Sequence, residues 1–151
     1  MKTSRKNHQT QWSGQFGAAH ELSRRGYLVT FTMGNAPLTD LLCQSPEGVP
    51  FKVQVKSLSS RTSFICRNAS IEPDDRLFFI LVVLPSSPTE RPEYFVLKHQ
   101  QLLQALKEQD RANEETAKKR GRPFKEFPPG VNYSVLAKRF TFHDAWESLP
   151  K

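Results

Sequence analysis

The chain has 151 residues, of which 37% are hydrophobic, a size that suits one domain with a core of its own. Its 22 Lys and Arg against 15 Asp and Glu give a formal charge of +7, which favours a polyanionic partner such as nucleic acid. The two cysteines, Cys43 and Cys66, lie in no CxxC or Cys/His cluster, which argues against a structural zinc site.

Membrane insertion and export are not expected from this composition. The basic start is not followed by an apolar segment, so no signal peptide is predicted. The longest apolar run, residues 77–84, is too short to cross a bilayer. We therefore expect a cytoplasmic protein.

The N-terminal part predicts an arm and then a helix. Residues 1–11 are polar and basic, which is typical of a flexible arm. A helix is predicted over residues 13–25, because its first residue suits an N-cap and a glycine follows its end. Gly14, Gly17 and Glu21 recur at helical spacing, so one small-sided face of this helix carries a carboxylate and can approach a neighbour closely.

Three strands are predicted next, and the second and third form a hairpin. Residues 27–33 are rich in β-branched and aromatic side chains, which favours a strand. Residues 38–43 and 51–57 flank turn residues at 45–48, so they predict an antiparallel hairpin. The third strand alternates between an apolar face (Phe51, Val53, Val55) and a polar face (Lys52, Gln54, Lys56).

The rest of the chain alternates between strands and helices. The patterns predict short strands at residues 64–66, 94–97 and 136–140, a buried strand at 77–84, a helix at 99–118, a basic Pro-rich loop at 118–130, and a terminal turn or helix at 143–148 with Trp146 docked. The predicted fold class is mixed α/β: a single domain over residues 1–151 with a mixed central sheet flanked by helices.

The hairpin brings together residues whose chemistry suits phosphodiester hydrolysis. Gln54 and Lys56 share a face because they are two apart on a strand, and Asp40 can reach that face from the neighbouring strand. Mg²⁺ takes hard oxygen ligands, for which Asp40 offers a carboxylate and Gln54 an amide carbonyl. Lys56 would orient the attacking water or neutralise charge on the phosphate, and Glu21 would complete the metal site.

These residues resemble the signature of the PD-(D/E)XK nuclease superfamily. Pro37-Leu38-Thr39-Asp40, thirteen further residues and then Gln54-Val55-Lys56 are similar to its motif, and Glu21 matches the extra helical acid of several branches, Holliday-junction resolvases among them. The Pro–Asp spacing is wider than usual, and Gln54 replaces the usual acid, as in some small homing and restriction-like endonucleases. The resemblance covers about residues 13–85 and implies a restriction-endonuclease-like core: a helix, a three-stranded meander, then a further helix and strand.

The resemblance implies a Mg²⁺-dependent DNA endonuclease in which Mn²⁺ can substitute. Asp40, Gln54 and Glu21 would hold the metal, and Lys56 would act with them in catalysis. A catalytically silent DNA-binding module of the same fold is the alternative, because an amide is a weaker ligand than a carboxylate. An ordinary hairpin with an ion pair between Asp40 and Lys56, in a structural or interaction protein with no nucleic-acid role, is a third interpretation.

Basic residues elsewhere predict contacts with DNA. Arg61 and Arg67 follow the third strand and would line a phosphate path, and Ser57, at the end of that strand, would help to hold substrate or water. The run Lys119-Arg120-Gly121-Arg122-Pro123 resembles an AT-hook core, in which an extended Arg-Gly-Arg enters an A·T-rich minor groove, although a solvated loop that contacts phosphates is the preferred interpretation. One chain carries one site, so cutting both strands would require a homodimer or higher homo-oligomer.

Overall fold

The computed structural model describes residues 2–67 and 72–151, with side chains from Lys6 onward. The elements in chain order are helix α1 (Lys2–Ser23), strands β1 (Leu28–Phe31), β2 (Leu41–Gln44), β3 (Pro50–Leu58), β4 (Ser63–Ile65), β5 (Leu77–Val83) and β6 (Glu93–Lys98), helix α2 (His99–Lys119), strand β7 (Gly130–Asn132), helix α3 (Tyr133–Arg139) and a 3-10 turn (Trp146–Ser148). No helix in the described ranges has the length and apolar character needed to cross a bilayer.

The main sheet has five strands in the order β1-β2-β3-β5-β6. Strands β1, β2 and β3 form an antiparallel meander, β5 runs parallel to β3, and β6 returns antiparallel to β5. Strands β4 and β7 pair with each other in a separate two-stranded sheet. This arrangement confirms the predicted mixed α/β class with a mixed central sheet.

Each face of the main sheet is covered by a different layer. Helix α1 packs its apolar residues on the face formed by Val53, Val55 and their neighbours, where it shares a core with strands β2, β5 and β6. Helices α2 and α3 pack on the opposite face, against a core that contains Phe79 and Leu81. All seven residues of β5 are buried because both layers cover this strand, as its uninterrupted apolar run predicts.

The predicted hairpin is confirmed, but its first strand begins later than expected. Leu41 lies opposite Val53 in the antiparallel pair of β2 and β3. Leu38 has a positive φ of 53°, a conformation that an extended strand does not contain, so β2 cannot include it. Asp40, which the predicted strand over residues 38–43 included, consequently lies immediately before β2, although its backbone N–H still donates to the Val53 carbonyl at 2.9 Å.

The N-terminal segment is helical, which differs from the predicted flexible arm. Helix α1 begins at Lys2, and Met1 lies outside the described residues. The segment before Gly14 contains no glycine or proline to interrupt a helix. The Trp12 indole also donates to His8 Nε2 at 3.1 Å, one turn earlier, which stabilises this part of the helix.

Two further predictions of secondary-structure elements differ from the structure. Residues 136–140, predicted as a strand, belong mostly to helix α3, whose Val135 and Leu136 are buried in the core under α2. A short apolar run of this kind has the same pattern in a strand and in a buried helix, so tertiary packing decides between them. The helix that the resemblance implies between β3 and β5 is not found in the described part of that connection (59–67 and 72–76), which contains β4.

Candidate functional site

The carboxylate of Asp40 lies just before the start of β2, beside the middle of β3. Its Oδ2 accepts hydrogen bonds from the Val55 backbone N–H and from Gln54 Nε2, both at 2.7 Å. Its Oδ1 accepts a third hydrogen bond from Gln15 Nε2 at 2.9 Å. Asp40 is therefore held in one orientation by donors from both α1 and β3.

Burial of the Asp40 side chain raises its pKa above the ordinary value for aspartate. The Val55 N–H and the positive charge of Lys56 act in the opposite direction but do not outweigh burial. The local environment therefore supplies less positive charge than an ionised Asp40 needs. Perturbed carboxylates of this kind are enriched at functional sites.

Gln54 and Lys56 both lie on the polar face of β3, and both lie beside Asp40. The Gln54 amide directs its NH₂ group at Asp40, which leaves Oε1 buried without a hydrogen-bond partner. Lys56 lies near enough to lower the Asp40 pKa, yet within the described ranges it makes no ion pair or side-chain hydrogen bond. The simple ion pair of the third interpretation is not formed, and the Lys56 ammonium is available to another group.

Gln15 belongs to this site and was not identified from the sequence. It lies on the sheet-facing side of α1, is 7% exposed, and donates to Asp40. A long polar side chain among small residues, in the run Ser13-Gly14-Gln15, was the available signal. A buried glutamine needs hydrogen-bond partners, which the neighbouring strand supplies.

A close approach of α1 to the sheet allows Gln15 to reach Asp40. A Cβ added at Gly14 would overlap Ser57 Oγ and lie 2.7 Å from Ser57 Cβ, and one added at Gly17 would lie 2.7 Å from Tyr94 Oη. No other residue fits at Gly14 without movement of the helix. The expectation that these glycines permit close packing is therefore confirmed.

Glu21 does not join Asp40, which corrects its predicted role. It lies six residues after Gln15, about 9 Å farther along the helix axis. Its buried carboxylate is bound by Arg25 at 2.5 Å and by Arg91 at 3.3 Å. Burial alone would raise the Glu21 pKa, but the hydrogen bonds and charges of Arg25 and Arg91 hold it below the ordinary value. Glu21 is part of a structural ion-pair network.

The oxygen atoms at the Asp40 site meet part of what a metal site requires. Within the described ranges no three His, Cys, Asp or Glu side chains come together in a group that could bind a metal ion. The site nevertheless offers hard oxygen atoms: the Asp40 carboxylate and the buried, unpartnered Oε1 of Gln54. Mg²⁺ keeps several waters and accepts substrate phosphate, so one carboxylate and one amide oxygen are a chemically compatible set.

The three residues predicted to contact nucleic acid at and after the end of β3 lie in different environments. Ser57 Oγ is buried beneath Gly14, on the face that α1 covers, so the predicted contact of Ser57 with nucleic acid is wrong. Arg61 is exposed but binds Glu93 at 2.7 Å, and its guanidinium lies over the Tyr133 ring. Arg67 is exposed.

The Arg-Gly-Arg run forms a helix cap and not the extended conformation of an AT-hook. Gly121 has a φ of 60°, and its N–H donates to the Lys118 carbonyl at 3.1 Å. The Arg122 N–H donates to the Ala117 carbonyl at 3.1 Å, which completes a Schellman motif at the end of α2. Lys119, Arg120 and Arg122 are exposed at this cap, so they remain available to a polyanion, but the AT-hook geometry is ruled out in this structure.

No family model matches this sequence, and neither a curated protein nor a solved structure is detectably similar to it.

Proposed function

We propose that this protein is a Mg²⁺-dependent DNA endonuclease of the PD-(D/E)XK type. The observation that carries the proposal is the grouping of Asp40 with Gln54 and with Lys56, which has no ion-pair partner among the described residues, at one end of the β2–β3 hairpin. The antiparallel meander with α1 packed against it and the parallel strand β5 support the proposal, since the implied core has a helix and a three-stranded meander, although its further helix is not found in the described part between β3 and β5. The position of Gln15 on α1 adds a helical side chain to the same site.

The chain's own residues suit separate roles in this reaction. Asp40 and the Gln54 carbonyl would hold Mg²⁺ or Mn²⁺ after rotation of the Gln54 amide, and Gln15 keeps Asp40 in place. When bound, the ion lowers the pKa of a coordinated water and polarises the phosphate. Lys56 would neutralise the negative charge that develops on the phosphate. Its ammonium is available for this role because no acid pairs with it in the described ranges.

Double-strand cleavage by this site requires a second copy of the chain. The described part of the chain offers one grouping of this kind, and the two strands of a duplex run in opposite directions. A homodimer with two-fold symmetry would present one site to each strand. The proposal therefore includes a homodimer. The formal charge of +7 favours the binding of DNA by this assembly.

A catalytically silent DNA-binding module is the second candidate, and one observation favours it. All three hydrogen bonds to the Asp40 carboxylate come from uncharged amide groups of Gln15, Gln54 and the backbone of Val55. The Asp40 carboxylate thus has hydrogen-bond donors from the protein itself, in the way of a structural carboxylate. DNA binding without cleavage would follow.

Lys56→Ala, compared with Lys52→Ala, tests the proposal. Lys52 lies on the same face of the same strand, but Asp74 binds it at 2.5 Å. We expect Lys56→Ala to reduce plasmid nicking in Mg²⁺ or Mn²⁺ by about 100-fold or more, while Lys52→Ala stays within about threefold of the unmodified chain.

Gel-shift measurements in EDTA provide the control, since both variants should bind DNA as the unmodified chain does. Full nicking by Lys56→Ala would show that the site assignment is wrong. An unmodified chain that shifts DNA but nicks no plasmid in either metal would establish the binding module. A chain without salt-dependent DNA binding would refute both candidates.

A further inference from the structure

A groove lies between the second half of α2 and the loop that follows it. We call it the α2 groove; its volume is about 490 Å³, and its lining includes Asn113, Arg120, Arg122, Phe124, Lys125 and Phe127. None of these residues belongs to the Asp40 site. The groove is therefore a separate feature of the surface.

The charge in the α2 groove is of one sign. Arg120, Arg122 and Lys125 line it, and no Asp or Glu does. A second cavity of about 250 Å³ shares Asn113, Thr116 and Asn132 with it and adds Lys138 and Arg139, of which Arg139 is paired with Glu108 and Glu115. The three cations of the α2 groove itself favour a polyanionic ligand.

Two phenylalanine rings stand exposed among these cations. Phe124 is 44% exposed and Phe127 is 62% exposed. Neither ring stacks on another aromatic side chain in the described ranges. Leaving such rings in water is unfavourable, and a planar partner that covers them recovers this free energy.

The loop that carries the rings is anchored at both ends. The Schellman motif at Gly121 joins its start to α2. At its far end the Asn132 N–H donates to Gln109 Oε1 at 2.8 Å, and the Cys66 N–H donates to the Pro129 carbonyl at 2.7 Å. The groove is therefore present before a ligand arrives, which lowers the entropic cost of binding.

We propose that the α2 groove binds single-stranded nucleic acid. Arg120, Arg122 and Lys125 contact the phosphates, and unpaired bases stack on Phe124 and Phe127. Cations along a backbone path with aromatic platforms are how proteins hold single strands, whereas the bases of a duplex are already stacked on one another. The inference goes beyond the proposed cleavage reaction and does not depend on it.

Fluorescence anisotropy of the full chain in EDTA tests the groove. The probes are labelled oligo-dT and oligo-U of about 15 nucleotides and an A·T duplex of the same length. We expect the single strands to bind more tightly than the duplex. The preference between oligo-dT and oligo-U identifies whether DNA or RNA is the better ligand.

Variants separate the rings from the charges. Replacing Phe124 and Phe127 together by leucine keeps apolar bulk but removes stacking, and should weaken oligo-dT binding about tenfold or more. Arg122→Ala should reduce the slope of log affinity against log salt by about 0.7. Lys107→Ala, an equal loss of charge at an exposed α2 position outside the groove, should leave affinity within about twofold.

Phe127→Trp adds a spectroscopic test, and this variant should retain binding. Oligo-dT should quench its tryptophan emission more than it quenches the emission of Trp12 and Trp146 in the unmodified chain. Unchanged binding by the double leucine variant would overturn the inference. So would tighter binding of the A·T duplex, or no nucleic-acid binding at all. Plasmid nicking by the same groove variants is measured alongside, so that loss of nicking and loss of groove binding are separate outcomes.

Discussion

At the scale of single residues, Asp40 is kept in place at a cost to stability. Its pKa is raised in the folded state, so the folded chain binds this proton more tightly than the unfolded chain does. The stability that this group contributes is thus present below the unfolded pKa and is lost as pH rises through the folded pKa. An ionised Asp40 is a local destabilising feature at neutral pH, and a cation would relieve it.

Gln54→Glu tests whether the Asp40 site can accept a metal ion. The change replaces a hydrogen bond to Asp40 by a second carboxylate, so like-charge repulsion should lower the thermal stability of the metal-free chain at neutral pH. Two carboxylates should bind Mn²⁺ about tenfold more tightly than one carboxylate and an amide. Isothermal titration calorimetry and thermal unfolding with and without Mn²⁺ measure the two effects.

Gln104→Glu, the same chemical change at an exposed position of α2, is the matched control and should alter neither quantity. A Gln54→Glu variant that loses stability without gaining Mn²⁺ affinity would show that the grouping is structural. That result would favour the silent binding module over the nuclease.

At the scale of elements, the docking of α1 on β3 depends on the absence of a side chain at Gly14. Ser57 occupies the space where a Cβ would lie. Protein interiors transmit such overlaps because they are close-packed, so the helix would have to move away from the sheet. Gln15, the next residue along α1, would then lose its hydrogen bond to Asp40.

We expect Gly14→Ala to lower the free energy of unfolding by about 1–3 kcal/mol despite the better helix propensity of alanine. Ser57→Gly in the same chain should recover part of this loss, because it removes the overlapping side chain. Ser13→Ala, at an exposed neighbouring position, should change stability by less than about 0.5 kcal/mol. Urea denaturation measures all three, and a neutral Gly14→Ala would contradict the close approach.

At the scale of the whole molecule, an ion-pair network joins parts of the chain that are distant in sequence. Arg91, in the segment between β5 and β6, donates to both oxygens of Asp144 at 2.9 Å and to Glu21 on α1 at 3.3 Å. Arg25 binds the same glutamate and lies 4.3 Å from the Trp146 ring centroid. The network therefore connects α1 to the C-terminal segment across the edge of the core.

Arg91→Ala should destabilise the chain by about 1–2 kcal/mol at neutral pH, since it removes the main partner of Asp144 and one partner of buried Glu21. The pKa values of Glu21 and Asp144 lie below their ordinary values, so their contribution is present above the unfolded pKa and is lost as pH falls through the folded pKa. The difference between variant and unmodified chain should accordingly shrink below about pH 4.

Arg24→Ala is the control for Arg91→Ala, because Arg24 is exposed and lies 3.6 Å from the same glutamate. It should cost less than about 1 kcal/mol. Chemical denaturation at several pH values gives the comparison. A constant deficit of Arg91→Ala from neutral to acid pH would mean that packing and not charge accounts for its contribution.

Some features of the whole molecule depend on the local sequence, and others do not. The alternation over residues 51–57 and the turn at 45–48 determined the hairpin, because side-chain period and turn chemistry act between neighbours. The buried strand β5 and helix α2 followed for the same reason. The grouping of Asp40 with Gln54 and Lys56 follows largely from that hairpin, so the sequence predicted it, although Asp40 lies just before β2 and is also held by Gln15 of α1.

Only the tertiary structure decided which partners the remaining residues take. Helix α1 passes the sheet at an angle and height that sequence spacing does not specify, so Gln15 meets Asp40 while Glu21 meets Arg91. The face of Ser57 and the helical state of α3 depend equally on what packs against them. Local periodicity determines which way a side chain points from its own element, whereas the group that it meets is determined by contacts between elements that are distant in the sequence.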